Sequence, residues 1–505
     1  MVSSLAVEFA LAGTQDDWGI SPNHHWSQTK YALRLYKIAG TPNGNRTTLT
    51  HQPPDKLMFI ARLRRRAPRP SSRLLTTAAA TPAADADADD VVLTREFIYA
   101  SLYAKEAGYF TTEQREVLHA PSQGIDFGNL WGAGEYRNVV AELYKESPEA
   151  WLTPVEVFAP HYSQALARYM LNSPFFRQEL QIFEIGGGSG SNALHILNYL
   201  KEQAPDVYAK TKYTLIEISP VMAERQRRRV ADVHPQQCTV INQDILTFAD
   251  THAPVNAQCF FLALEVLDNL PHDKVVLQNG KWYETIIKMQ TGTDSLMPEL
   301  EEAMRPVKDM LIRQTLRYFG CELPLRVSYN NNSDIAQRVR RMFGKDDPVL
   351  NSAFIPTGAM QLLNTLRTAF PKHHLIAADF DSLPAPNLDD KSPVKVIEHP
   401  LSSTATSSGT LFAGNAPLVA SKVTGVTKDH DTYLVQGGIA DIFFATDFDR
   451  LKKAYCSALQ RQPDEVSVVK SSAFLKEFAD VQKTKTITRY NPLLEDYSNT
   501  SFILS

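Results

Sequence analysis

Gln181-Ile182-Phe183-Glu184-Ile185-Gly186-Gly187-Gly188-Ser189-Gly190-Ser191 is the stretch on which the reading of this chain turns. A short apolar strand runs into a glycine-rich turn, and the turn opens a helix expected over Asn192–Leu200. Glycine lets the backbone bend sharply and lets a ligand approach with no Cβ in the way. The dinucleotide fingerprint GxGxxG fails here, because a count from Gly186 and Gly188 puts Ser191 where the third glycine belongs. The spacing present is Glu-x-Gly-x-Gly-x-Gly, at Glu184, Gly186, Gly188 and Gly190. Taken alone, that turn is as compatible with a plain structural bend as with a ligand cradle.

Downstream, apolar strands alternate with amphipathic helices, the rhythm of a doubly wound parallel sheet. Strands are expected at Gln181–Ile185, Tyr213–Ile218, Thr239–Ile241, Ala257–Leu264 and Leu375–Asp379. Three of them end in acidic residues at the carboxyl edge, where such sheets bind ligands. Glu217 lies roughly 20–30 residues past the glycines, where a carboxylate can accept both hydroxyls of a ribose; a solvated strand-end carboxylate is the plainer alternative. Asp244, after the third strand, is placed to accept from an adenine amino group. Glu265 and Asp268 follow the fourth strand three residues apart and are expected to face the reacting end of the cleft. Paired carboxylates can hold a guanidinium by bidentate hydrogen bonds and take up its proton. Either could instead cap the next helix.

With 505 residues the chain exceeds the roughly 250–300 residues at which single cores stop growing, so part of it decorates the catalytic core. A 43% hydrophobic, 21% charged composition is that of a globular protein with a buried core. The net charge of -4 lacks the positive field that binding to phosphate backbones requires, so no nucleic-acid partner is expected. The apolar run Cys259–Leu264 is far short of the ~20 residues of a membrane span, and no transmembrane segment is expected. Cys238, Cys259, Cys321 and Cys456 show no metal-ligand spacing, which argues against a metal site.

From Met58 the chain carries six arginines and no acidic residue before Asp85, the composition of a mitochondrial presequence. The matrix-negative potential draws such a segment inward by about 2 kcal/mol per charge per 100 mV; a basic linker is the alternative. The expected organisation is an upstream extension over 1–57, presequence and linker over 58–90, and a helical N-terminal layer over 91–178. A Rossmann-like core follows over 179–279, then an inserted subdomain of charged helical stretches over 280–345. The C-terminal part of the catalytic domain covers 346–505, with a long loop at 386–427 and strand character returning at Tyr433–Val435 and Asp441–Phe444.

At these residues the sequence resembles the MidA-like family of mitochondrial complex I assembly methyltransferases and their bacterial relatives. The glycine spacing is similar to the first motif of S-adenosylmethionine-dependent methyltransferases. Gly108-Tyr109-Phe110 resembles the family's Gly-Tyr-Tyr, and Leu152-Thr153-Pro154-Val155-Glu156-Val157-Phe158 its Thr-Ser-Pro-Glu-Ile segment over the cofactor. Glu265–Pro271 and Ala377–Phe380 look like two further family segments. Gly437-Gly438-Ile439-Ala440-Asp441 with Asp447-Phe448 resembles the most family-specific signature.

The resemblance implies a class I S-adenosylmethionine-dependent methyltransferase fold (α/β, Rossmann-like doubly wound sheet) with a helical N-terminal layer and insertions. It implies S-adenosyl-L-methionine as cofactor, held by Glu184, Gly186, Gly188, Gly190, Glu217, Asp244, Thr153 and Pro154, with Glu265 and Asp268 catalytic. It further implies methylation of an arginine of a complex I subunit in the mitochondrial matrix; a homodimer is compatible with the sequence. Three departures stand out: Leu264 replaces an Asn, Gly187 a Pro or Ala, and Thr-Ser-Pro is shortened to Thr153-Pro154. A non-catalytic assembly chaperone and a small-molecule methyltransferase are the competing readings.

If translation begins at Met58, N-terminal peptide sequencing of the native protein recovers no residue from 2–57, and their recovery would refute that start.

Overall fold

The computed structural model describes residues 91–105, 107–113, 117–290, 299–321, 351–388, 413–423 and 425–505. The upstream extension and the presequence lie outside the described residues, as do 322–350 of the inserted segment and 389–412 of the long loop.

The central sheet has seven strands: β1 (Gln181–Ile185), β2 (Lys212–Glu217), β3 (Cys238–Asn242), β4 (Cys259–Leu264), β5 (His373–Phe380), β6 (Ser467–Lys470) and β7 (Thr500–Leu504). They lie in the order β6-β7-β5-β4-β1-β2-β3. The run from β3 to β5 is parallel, with Ile182 beside Phe260 and Tyr213 beside Cys238. β7 runs antiparallel to both β5 and β6. Chain order reverses between β1 and β4, the switch point at which open α/β sheets form a crevice beyond the strand ends.

Alternation along each strand divides the core. Ile182, Leu215, Leu262, Ile376 and Phe502 pack on one face with the helices His161–Asn172, Ser191–Gln203 and Ser471–Phe478. Phe183, Ile185, Ile216, Phe261, Leu375 and Ile503 pack on the other with the helices Thr357–Ala369 and Phe448–Leu459. Cover on both faces explains why Cys259–Leu264 is apolar at every position and not at alternate ones.

Outside this frame the sequence reading needs correction. The segment expected as charged helical stretches over 280–345 begins as strands Lys281–Gln290 and Glu299–Pro306, and among its described residues only Met310–Tyr318 is α-helical. Lys281–Gln290 pairs with Asp273–Gln278 across Asn279-Gly280, both at positive φ (50° and 72°). That is the two-residue turn whose twist suits a hairpin. Ser352–Ile355 and Val91–Leu93 complete this second sheet, so the N-terminal layer opens with a strand before its helices. Tyr433–Val435 is not a strand, whereas Leu418–Val423 and Val426–Asp429 form a hairpin that begins inside the stretch read as loop and runs past its end. β6 and β7 were not anticipated.

Candidate cofactor and active site

At the carboxyl edge of β1, β2 and β3 lies a cleft, the place where open α/β sheets take their ligands. Gly186, Gly188, Glu217, Asp244 and Glu265 all line it. A second lobe, beside Thr153 and Pro154, shares Leu118, Gly186, Gly188 and Glu265 with the first. The two form one groove draped over the glycine turn.

Gly186, Gly188 and Gly190 all have positive φ (61°, 53° and 85°), which side chains other than glycine's adopt only under strain. A Cβ at Gly186 would stand 2.9 Å from Val266 Cγ2, and one at Gly188 would stand 3.1 Å from Leu118 Cδ1, so both are bare where the groove passes. Gly190 differs, since its Cβ would meet Val230 at 2.8 Å and it lines neither lobe. It caps the helix Ser191–Gln203 and lets that helix pack closely. Glu184 supports the turn from below: its carboxylate accepts from Asn192 Nδ2 (2.8 Å) and from the Tyr213 hydroxyl (2.7 Å), tying β1 to that helix and to β2.

Glu217 is buried at the end of β2. Oε1 accepts from Ser219 N–H (2.8 Å), and Oε2 accepts from Gln226 Nε2 (3.0 Å), which also donates to Gly188 C=O (2.9 Å). Burial pushes its carboxyl up to about 7 against these donors. Asp244 accepts from Leu246 N–H (2.8 Å) and the Tyr99 hydroxyl (2.9 Å), and burial raises it too.

The Glu265–Asp268 turn separates the two acids expected to act together. Asp379, at the end of β5, receives three successive backbone N–H groups on Oδ2, from Val266 (3.1 Å), Leu267 (2.8 Å) and Asp268 (3.2 Å). Winding around that oxygen sets Glu265 at φ 51° on the cleft wall. Asp268 is turned inward, fully buried and absent from both lobes, and neither carboxylate oxygen has a hydrogen-bond partner among the described residues. Burial, then Asp379, then the nearby acids Asp441 and Glu265 push the Asp268 carboxyl well above the carboxylate range. The expectation that it faces the reacting end of the cleft is therefore corrected.

Several site residues were not singled out for the site. Tyr99 and Tyr103, four apart on the helix Thr94–Tyr103 with ring centroids 5.5 Å apart, wall the first lobe together with Phe110. Their spacing on one helix face was a readable signal. Asp379 lay inside a quoted segment, but its role depends on a turn 112 residues away. Among the described residues no group of three or more His, Cys, Asp or Glu could hold a metal ion, and no helix is long and apolar enough to cross a membrane.

Residues 163–466 match the sequence profile of a family of S-adenosyl-L-methionine-dependent methyltransferases. The chain belongs to that family. Its cofactor is S-adenosyl-L-methionine, and the bare turn beside an acidic strand end suits a nucleoside carried on a small amino acid. The mitochondrial protein arginine methyltransferase NDUFAF7 homolog of Schizosaccharomyces pombe is 23% identical over 230 residues, 43% of this chain and 48% of its own length. The chain thus spans about half the length of this curated relative. A COG1565 superfamily member from Burkholderia thailandensis, solved with S-adenosyl-homocysteine bound, superimposes with a TM-score of 0.50 at 15% identity, covering 91% of this chain and 95% of that one. This likeness concerns the fold alone.

Glu217 makes ligand-free stability depend on pH. Because its folded carboxyl is raised from 4.5 to about 7, its contribution is full below about 4.5 and is lost as pH rises through 7. Urea unfolding of the ligand-free protein should show wild type losing on the order of 2–3 kcal/mol relative to Glu217→Gln between pH 5 and pH 8. Parallel pH profiles would place the titration elsewhere.

Proposed function

We propose that this chain is an S-adenosylmethionine-dependent protein arginine methyltransferase of the mitochondrial matrix, acting on a complex I subunit during assembly. The observation that carries the chemistry is the placement of Glu265. It borders both cofactor lobes and a third space walled by Tyr162, Phe158 and Tyr497. A carboxylate at that junction can meet a guanidinium arriving from the far side and align it with the cofactor. Bound S-adenosyl-L-methionine would supply an electrophilic methyl group. Gly186 and Gly188 give the ligand room, Glu217 accepts its ribose hydroxyls, and Tyr99, Tyr103 and Asp244 border the place for its base. Thr153 and Pro154 cover the second lobe. Glu265 orients the acceptor and takes up the proton released at its nitrogen, work that proceeds chiefly by positioning. Asp268, turned inward, does not touch the acceptor in this reading.

Support for the protein substrate and the compartment comes from the fission-yeast relative, a mitochondrial protein arginine methyltransferase homolog, from the family resemblance and from the arginine-rich segment after Met58. One observation favours a second reading, a cofactor-binding assembly factor without turnover: Leu264 takes the place of the family's Asn and lines the second lobe.

Calorimetry and mass spectrometry separate the two. Gly188→Val, which puts a branched side chain at φ 53° against Leu118, should abolish S-adenosyl-homocysteine binding while the protein still unfolds cooperatively; unchanged affinity would make the turn merely structural. Glu265→Gln should lower methylation of mitochondrial protein by about 100-fold or more with cofactor affinity retained. Micromolar binding by wild type with no methylated arginine in proteins from cells carrying the gene, relative to cells lacking it, would decide for the factor without turnover.

A further inference from the structure

The chain from Glu265 to His272 has two sides. Glu265, Val266, Asn269, Leu270 and Pro271 face the cofactor groove, whereas Leu267 and His272 line a cavity of about 520 Å³ that shares none of its described lining residues with either lobe. Close-packed interiors leave few voids larger than a water molecule, and this one falls within the roughly 300–1,000 Å³ of small-molecule sites. Phe319, Phe354, Ile355 and Leu451 give it apolar walls.

His272 is the buried polar side chain of this wall, 3% exposed. Its Nδ1 lies 2.8 Å from Leu270 C=O. A carbonyl only accepts, so Nδ1 carries the hydrogen and Nε2 keeps a lone pair. The ring stacks flat on Phe444, with centroids 3.7 Å and planes 12° apart, which fixes its direction as well as its tautomer. Burial pushes the imidazole down to about 3, against the Leu270 hydrogen bond, and so keeps it neutral. Among the described residues Nε2 has no hydrogen-bond partner. The charged side chains that line the cavity are Asp447 and Arg450, and they pair with each other (2.9 Å). What remains is a neutral acceptor in an apolar space, which suits an uncharged ligand that brings one donor.

We infer that this cavity is a second ligand site, for an uncharged, largely apolar molecule whose hydroxyl group donates to His272 Nε2. The inference is independent of what occupies the groove. Leu267, whose N–H helps to hold the turn on Asp379, forms part of the ligand's bed, so the two sites back onto one turn.

Two fluorescent probes make the test: 1-naphthol and 1-methylnaphthalene share a ring system, and a methyl group in one takes the place of the hydroxyl in the other. Hydrophobic burial alone favours the methyl compound. In titrations with the full chain, wild type should bind 1-naphthol about 10-fold or more tightly than 1-methylnaphthalene. Equal affinity, tighter binding of the methyl compound, or no binding of 1-naphthol would overturn the assignment. His272→Phe keeps an aromatic ring against Phe444 and removes the acceptor, so the preference should shrink to within about twofold; an undiminished preference would place the hydroxyl elsewhere and sink the proposal. S-Adenosyl-homocysteine at saturation should leave 1-naphthol bound, whereas mutually exclusive binding would put the ring in the groove and reject the second site. The comparison of the two probes uses wild type, so it decides even where the variant does not fold. Failure of wild type to bind S-adenosyl-homocysteine would count against the cofactor reading of the groove and leave that comparison standing.

Discussion

Three backbone N–H groups converging on one carboxylate oxygen of Asp379 set the geometry on which the rest of the site depends. The contact joins the end of β5 to the turn after β4, at the edge of the sheet where chain order reverses. Consecutive amides wrapped around an anion form a concave nest, and the anion fixes the backbone that makes it. Here the fixed backbone holds Glu265 at positive φ on the cleft wall, buries Asp268 and brings Val266 against Gly186. The next residue continues the same order, since Asn269 Nδ2 donates to Asp441 (2.8 Å) and to Ile442 C=O (3.2 Å). A strand end, a glycine turn and a C-terminal segment are thereby locked to one turn.

The groove is rich in carboxyl groups that folding has partly removed from water. Burial raises Glu184, Glu217 and Asp244, which line it, and also Asp268 and Asp379 behind its wall. Such groups carry a desolvation cost when no ligand is bound. A ligand offering hydroxyls, an amine and positive charge recovers part of that cost. Stability and binding are opposed at the same residues, a common condition of active sites.

Closure of the groove comes from chain distant from the central sheet. The helix Thr94–Tyr103 contributes two tyrosines to the wall, and it is held by Arg95, which makes ion pairs with Asp273 (2.7 Å) and Asp309 (2.7 Å). Asp273 opens a strand of the second sheet, so the hairpin at Asn279-Gly280 anchors the helix that walls the first lobe. The decoration around the core thus acts on the site, and an insertion that looks peripheral in order along the chain is adjacent in space.

Local information was enough for the parallel strands, the glycine turn and the acids at strand ends. Each of these depends on alternation, on φ that only glycine tolerates, or on position relative to a strand's end, all of which are written within ten residues or so. The Asn279-Gly280 turn was equally local and could have been read. The separation of Glu265 from Asp268 could not, because three residues' spacing after a strand leaves both faces open until Asp379, more than a hundred residues later, collects the amides between them. The same holds for the tyrosine wall and for Asp441 beneath Asn269. Chemistry at one strand end was legible in the sequence; which side chains share a cavity was decided by contacts between segments that only the folded chain brings together.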